Sequence, residues 1–425
     1  MHHIHYHRHT LHVEDIPAKT LIQKYGTPLY VYSANTIRDN YLRLHKALST
    51  LDHQICYAMK ANGNLSIVRL LHSMGSGFDV TTAGELFRVI QAGGDPRRCT
   101  FVGVGKSSEE IEYGLRQGVY SFIVESEPEL LEIEKIARRL KKRAPFALRA
   151  NPNVDALTHS KITTGLYENK FGIAYERIAP IYARATRSKH LKACGVQMHI
   201  GSQITAVTPF EKAVARMLPL VCELRDQYRI EFFDIGGGMG IVYHDALACG
   251  DAAWWEAHPK VLTPELYAAR LIKKLSGLNL KILVEPGRYV VGNSGILLTK
   301  VLYIKKTGRK NFAIVDAAMT ELIRPTLYEA YHEIVPLRSP KGSRKRVVYD
   351  VVGPVCESGD YLAKDRMMPE LKAGDFLAVM SAGAYGFVMA SNYNSRPRPA
   401  EILVDGNKAT VARSRETLDD LIRGE

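Results

Sequence analysis

The chain has 425 residues, 46% of them hydrophobic and 24% charged, and carries a formal net charge of +13. This length suits two domains, one of them large, and the composition is that of an ordinary globular protein without low-complexity tracts. No apolar run approaches the roughly 18 residues that span a bilayer, and the basic residues lack a recognition motif around them, so a membrane anchor and a dedicated nucleic-acid binder are both set aside.

The first stretch, MHHIHYHRHTLHVEDIP, has no apolar core of the kind a secretory leader needs, and the expectation is a cytoplasmic protein. His3, His5, His7 and His9 alternate, so a strand would turn them to one face. No carboxylate is interleaved with them, and they read as an exposed edge strand, with no metal site. Next, TPLYVYS (27–33) reads as a strand contributing to a later domain, and a helix is expected at about 36–49.

From about residue 36 to 290 strand and helix alternate. Strand-like runs fall at 54–59, 77–80, 100–103, 120–124, 146–149, 195–199, 231–235 and 281–285. Amphipathic helices such as ELLEIEKIARRLKKR (129–143) and PFEKAVARMLPLVCELRDQY (209–228) lie between them. Eight such steps in this span predict a (β/α)8 barrel over 36–290, with an open doubly wound sheet as the structural alternative. After 290 the pattern changes. GILLTKVLYIKK, NFAIVDAAM, KRVVYDVVGP, DFLAVMSAGAYGF and AEILVDGNKATVA read as strands, giving a second, all-β domain from 291–425 together with 1–35.

Barrel chemistry gathers where strands end at their C-terminal tips. Strand one ends in Lys60, strand two carries Asp79, and strand six ends in His199 within VQMHIGSQ. Strand seven runs into Gly236, Gly237 and Gly238, and strand eight into Glu285, Pro286, Gly287 and Arg288. Taken singly, each has a bland reading: a lysine that reaches solvent, a near-core histidine, a tight turn, a turn-capping glutamate. Jointly they place an amine, an imidazole, an anion-sized glycine loop and a carboxylate around one mouth. That set suits pyridoxal phosphate: a lysine to form the Schiff base, a carboxylate to keep the pyridine nitrogen protonated, glycine N–H groups for the phosphate and a histidine ring for the cofactor face.

The six cysteines, at 56, 99, 194, 222, 249 and 356, show no CxxC spacing, which argues against a disulfide framework or a zinc ribbon. Cys356 stands out because Pro354 precedes it and Glu357, Ser358, Gly359 and Asp360 follow, a polar loop and not a strand interior. Neighbouring carboxylates suit a thiol that acts as an acid.

YAMKAN (57–62), HIGSQ (199–203), the glycine turn and EPGR (285–288) resemble the fold-type III pyridoxal-phosphate decarboxylases. GPVCESGD (353–360) and GAYG (383–386) narrow the resemblance to the diaminopimelate decarboxylase family, over about residues 14–415. The resemblance implies an alanine racemase-like pairing of a TIM-like barrel with a β-barrel domain, and a homodimer whose active sites are completed across the interface. It also implies decarboxylation of meso-2,6-diaminopimelate to L-lysine and CO2, the last step of lysine biosynthesis. Carried over, Lys60 is the Schiff-base lysine, His199 the stacking residue and Glu285 the pyridine partner. Gly236 to Gly238 and Ser202 hold the phosphate, and Pro286 and Gly287 belong to the cofactor site. Cys356 is the proton donor from the partner subunit. Arg288, Arg324, Tyr328, Glu357 and Tyr385 contact substrate or cofactor, with Arg288 open between phosphate and substrate carboxylate. A decarboxylase of ornithine, arginine or carboxynorspermidine is the nearest alternative, an amino-acid racemase or a non-catalytic cofactor carrier the more distant ones.

Overall fold

The computed structural model describes residues 2–155, 170–339 and 345–425, so most of the basic run at 339–346 lies outside the described residues. The chain forms two compact units. One comprises Tyr41–Gly240 and Lys260–Tyr289; the other comprises Met1–Asn40, Ile241–Pro259 and Val290–Glu425.

The first unit is a closed barrel of eight parallel strands: β1 (His53–Ala58), β2 (Gly77–Val80), β3 (Cys99–Phe101), β4 (Ser121–Val124), β5 (Ala144–Asn151), β6 (Leu191–Gln197), β7 (Phe232–Asp234) and β8 (Lys281–Val284). Each strand pairs with the next in chain order, and β8 closes on β1 through Ile282 opposite His53 and Val284 opposite Ile55. A short ninth strand, Ile173–Ala174, adds to β5. Parallel strands are covered on both faces, which is why FIV (122–124) and ILV (282–284) read as short apolar runs with no polar alternation. Cys56, Val102, Ile123, Ala147, Cys194, Phe232 and Leu283 form one buried cluster. The strands contribute inward-facing side chains to this layer, so the barrel centre is packed core and chemistry is confined to its rim.

The expected strand positions hold within a few residues, and the helices follow the same logic. The helix Leu65–Ser73 starts where Asn64 caps it, its side-chain oxygen accepting the Ser66 N–H at 2.9 Å. Ser107 and Glu110 form a reciprocal capping box at the helix Ser108–Gln117.

The second unit is mostly sheet. Its long strand Gly295–Lys306 pairs antiparallel with Leu29–Ser33, Asn311–Val315 and Phe376–Val379. Leu29–Ser33 lies between that strand and Ala400–Asp405, so the early strand does join the late ones. Among the strands after residue 290, two were not expected. Ile334–Pro336 is only three residues long. Tyr361–Pro369 carries Lys364, Asp365 and Arg366 in its middle, with Asp365 at φ 48, so a bulge at a sheet edge breaks the two-residue alternation. Conversely, DFLAVMSAGAYGF is strand only to Val379, because Ser381 and Tyr385 take left-handed φ values of 55 and 54. His5 and His7 are exposed on the edge strand Ile4–His7, whereas His9, at φ 67, turns the hairpin and leaves the alternation. His3 meets Asp39, a carboxylate from outside the histidine run, at 2.7 Å.

Candidate active site

At the end of β1 the chain makes one tight turn, Met59–Ala61, in which Met59 and Ala61 are buried and Lys60 is half-buried. The Tyr57 hydroxyl donates to the Asn62 carbonyl at 3.0 Å and fixes that turn. Lys60 Nζ lies 2.6 Å from Oδ2 of Asp79, whose side chain is fully buried on β2. The end of β8 is drawn against the same turn. The Ala58 N–H donates to the Pro286 carbonyl at 3.2 Å, and a Cβ on Gly287 would stand 2.9 Å from that of Ala61. Pro286 and Gly287 therefore bring Glu285 beside Lys60 through backbone approach.

Glu285 is buried, and the Gln197 amide donates to both its oxygens at 3.2 and 3.1 Å. Asp234, also fully buried, adjoins it and accepts the Gly236 N–H at 2.8 Å. Burial, with the other carboxylates close by, pushes Glu285 well above the usual carboxylate range. Burial raises Asp234 to about 7, with Asp79 adding repulsion. At neutral pH the site thus holds more carboxyl groups than it can ionise, a setting that favours a proton or a cation between them.

His199 accepts the Gly237 N–H at its Nδ1, at 3.1 Å, which leaves the ring proton of the neutral form on Nε2. Burial first, then the charges of Arg149 and Lys60, hold its pKa well below the ordinary value. It is a neutral, flat ring at the mouth. The glycine turn beside it has no room for side chains: a Cβ would overlap the Met198 carbonyl at Gly236, the Glu285 carbonyl at Gly237 and the Gly201 carbonyl at Gly238. Gly236 and Gly238 also take left-handed φ values of 70 and 103. Arg288 Nη2 donates to Ser202 Oγ at 2.9 Å, so these two candidates meet.

The other candidates belong to the sheet unit. Arg324 and Tyr328 bracket the short helix Arg324–Tyr328, and Cys356 and Glu357 lie on the exposed loop after the strand Arg346–Val352. Helix and loop are tied together. Thr326 Oγ1 donates to the Gly359 carbonyl at 2.6 Å, and the Tyr361 hydroxyl donates to the Pro325 carbonyl at 3.0 Å. Asp360 anchors the loop from below, accepting Val355 N–H at 2.8 Å and Met319 N–H at 2.7 Å. The Cys356 N–H donates to the Asn394 side chain at 2.9 Å. Tyr385 lies in the left-handed turn after Phe376–Val379.

Residues 34–292 match the family model for the pyridoxal-dependent decarboxylase, pyridoxal binding domain. Over the whole chain the relatives are more specific. A diaminopimelate decarboxylase of Vibrio cholerae is 47% identical over 413 residues, covering 97% of this chain and 95% of its own. The enzyme of that name from Pseudomonas aeruginosa is 46% identical, covering 98% and 96%. The chain belongs to the diaminopimelate decarboxylase family. The crystal structure of the Helicobacter pylori diaminopimelate decarboxylase complexed with L-lysine has a TM-score of 0.89 at 41% identity, covering 96% of this chain and 98% of that one.

The family's cofactor is pyridoxal phosphate, and the barrel residues fit it. Buried polar atoms lacking a hydrogen-bond partner, Asp79 Oδ1, Arg149 Nη2 and Gln197 Oε1, stand on three of its strands. The raised Glu285 suits a pyridinium N–H, and the glycine turn with Ser202 and Arg288 suits a phosphate. Further polar side chains, to which the sequence alone assigned no role, stand beside these candidates. Asp79 partners Lys60, Gln197 and Asp234 flank Glu285, and Arg149 pairs with Glu125 at 2.8 Å. A polar residue inside an otherwise apolar barrel strand was the available signal for all of them.

Proposed function

We propose that this chain decarboxylates meso-2,6-diaminopimelate to L-lysine and CO2 as a cytoplasmic homodimer with shared active sites. The observation that carries the substrate is the tie between the Arg324 helix and the Glu357 loop, through Thr326 and Gly359. It keeps a guanidinium and a carboxylate on one assembly, as a substrate with both a distal carboxylate and a distal ammonium requires. Ornithine and lysine offer only the ammonium, and so leave the arginine without a role.

When bound, the cofactor supplies an electron sink for the pair left on Cα as CO2 departs. Lys60 would hold it through Nζ, with Asp79 keeping that amine oriented. Glu285, seated by Gln197 and Asp234, holds the proton at the ring nitrogen, which favours decarboxylation over racemisation. His199 covers one ring face. Gly236 to Gly238, Ser202 and Arg288 take the phosphate, and the Arg288–Ser202 bond supports that role over the substrate carboxylate. Cys356 of the partner subunit delivers its thiol proton to Cα, with Tyr328 and Tyr385 completing the contacts. All six cysteines are free thiols, which suits a reducing compartment.

The deciding experiment is CO2 release from a panel of meso-diaminopimelate, ornithine, arginine, lysine and carboxynorspermidine with added cofactor. The expected result is a preference for diaminopimelate of at least ~10-fold in kcat/KM. Faster turnover of any other member would hand the site to the rival decarboxylase.

A further inference from the structure

His332 has no place in the chemistry described so far, yet it is fully buried against one of the proposed substrate residues. Its Nε2 stands 2.8 Å from Arg324 Nη1, and its Nδ1 stands 2.8 Å from the Met380 carbonyl oxygen. A carbonyl only accepts and a guanidinium only donates, so both bonds form together in one state alone. That state is the neutral imidazole with its proton on Nδ1 and its lone pair on Nε2. The opposite tautomer would face a lone pair to a lone pair and a proton to a proton. The imidazolium would set two cations against each other.

The segment that carries the imidazole is itself fixed on several sides. Arg366 Nη1 donates to the His332 carbonyl at 2.8 Å, and the neighbouring Tyr331 ring stacks on His244 with centroids 3.7 Å apart. Tyr243 packs edge-on against the His332 ring at 5.2 Å and lies 4.8 Å from the Arg324 guanidinium carbon. The guanidinium is planar and rigid, so bonding one nitrogen and packing the plane over an aromatic ring sets the direction of its whole donor fork.

From this arrangement we infer that His332 is a positioning residue for substrate selection. As the neutral Nδ1–H tautomer it aims the Arg324 guanidinium at the substrate's distal carboxylate. The inference rests on the reading of Arg324 as the clamp for that carboxylate. A histidine that served only to satisfy the Met380 carbonyl would not need an acceptor at Nε2, and the two roles separate by side-chain length. Asparagine reaches the Met380 side but not Arg324, whereas glutamine places an oxygen near the Nε2 position.

The test compares His332→Asn, His332→Gln and Arg324→Ala in the cofactor-loaded enzyme, following kcat and KM for meso-diaminopimelate, whatever turnover lysine shows and the melting temperature. Losing a hydrogen bond to a charged group at a clamp corresponds to roughly 10-fold or more in binding. His332→Asn should therefore raise KM for diaminopimelate roughly 10-fold and leave kcat within about 3-fold, because the distal clamp holds ground state and transition state alike. His332→Gln should stay within about 3-fold on both parameters, and lysine turnover should move with neither. His332→Leu serves as the deletion if the Asn variant does not fold. Equal behaviour of Asn (or Leu) and Gln, whether both harmless or both harmful, overturns the inference. So does a lowered melting temperature with an unmoved KM. If Arg324→Ala itself leaves diaminopimelate turnover intact, the clamp reading falls and this inference with it. A damaged Arg324→Ala beside an unaffected His332→Asn removes His332 alone.

Discussion

The barrel unit and the sheet unit hold the proposed site groups in opposite ways. In the barrel, Lys60, Asp79, Asp234 and Glu285 are fixed mainly by one another, as charges crowded at the rim of a packed ring. In the sheet unit, Cys356 and Glu357 lie exposed on a loop whose backbone is pinned by Asp360, Thr326 and Asn394. Crowded buried charges store a mismatch that a cofactor can relieve, so a barrel site responds to proton and ligand concentration. A loop on anchored backbone stores little and instead offers geometry.

The largest expected contrast between the two is in subunit mixing. Lys60→Ala and Cys356→Ala should each be nearly inactive, the first also losing the visible absorbance that borohydride fixes on Lys60. Random mixing of two such dimers puts one intact site in the heterodimers and should restore about a quarter of wild-type activity. Recovery measured at that level would assign barrel and sheet contributions to different chains. No recovery in demonstrated heterodimers would put Cys356 in its own chain's site or outside the chemistry.

A change confined to the sheet unit should act on selection. Breaking a desolvated carboxylate–guanidinium pair costs about 2–5 kcal/mol, so Arg324→Ala should lower kcat/KM for diaminopimelate roughly 30-fold or more. Lysine turnover, which lacks the distal carboxylate, should be nearly unchanged in the same assay.

A change confined to the barrel should act on the cofactor. The Cβ of Gly237→Ala would meet the Glu285 carbonyl, and neither backbone yields easily. Overpacking of this kind costs about 1–3 kcal/mol, and equilibrium titration should show pyridoxal phosphate binding weakened about 10-fold. Unaltered binding would mean that the turn has slack the packing does not show.

The smallest effect sharpens the electrostatic half of the comparison. Asp234 ionises near 3.8 when unfolded but only at about 7 when folded, so the folded state binds the extra proton across that window. Its contribution to stability is complete below the unfolded value and is lost as pH rises through about 7. The melting temperature of cofactor-free protein should fall by about 2–4 °C between pH 4 and 7 from this source. Asp234→Asn should flatten the slope. Equal slopes in both proteins would show that another group carries it.

Much of the barrel was legible because burial on both faces leaves each parallel strand a short apolar run, and several of those runs carried or ended in a residue too polar for its setting. Lys60, His199, the glycine turn and Glu285 were visible on those grounds. The sheet unit was less legible. Tyr361–Pro369 hides behind three consecutive charged residues and a bulge, and the strand beginning at Phe376 stops where two residues adopt left-handed φ that no composition rule foretells.

By itself, then, the sequence determined the number and order of the barrel strands, because the two-faced burial of a parallel sheet is written into consecutive residues. It also determined which strand ends carry an amine, an imidazole or a carboxylate. Only the tertiary structure decided which of those groups share a proton, a charge or a hydrogen bond. Asp234 lies 51 residues before Glu285 and Asp79 lies 19 after Lys60, and neither separation is informative until the ring closes. The tautomer of His332 is of the same kind. It is set by a carbonyl at Met380 and a guanidinium at Arg324, and a chemical state that depends on what lies on both sides of a ring exists only once the chain has folded around it.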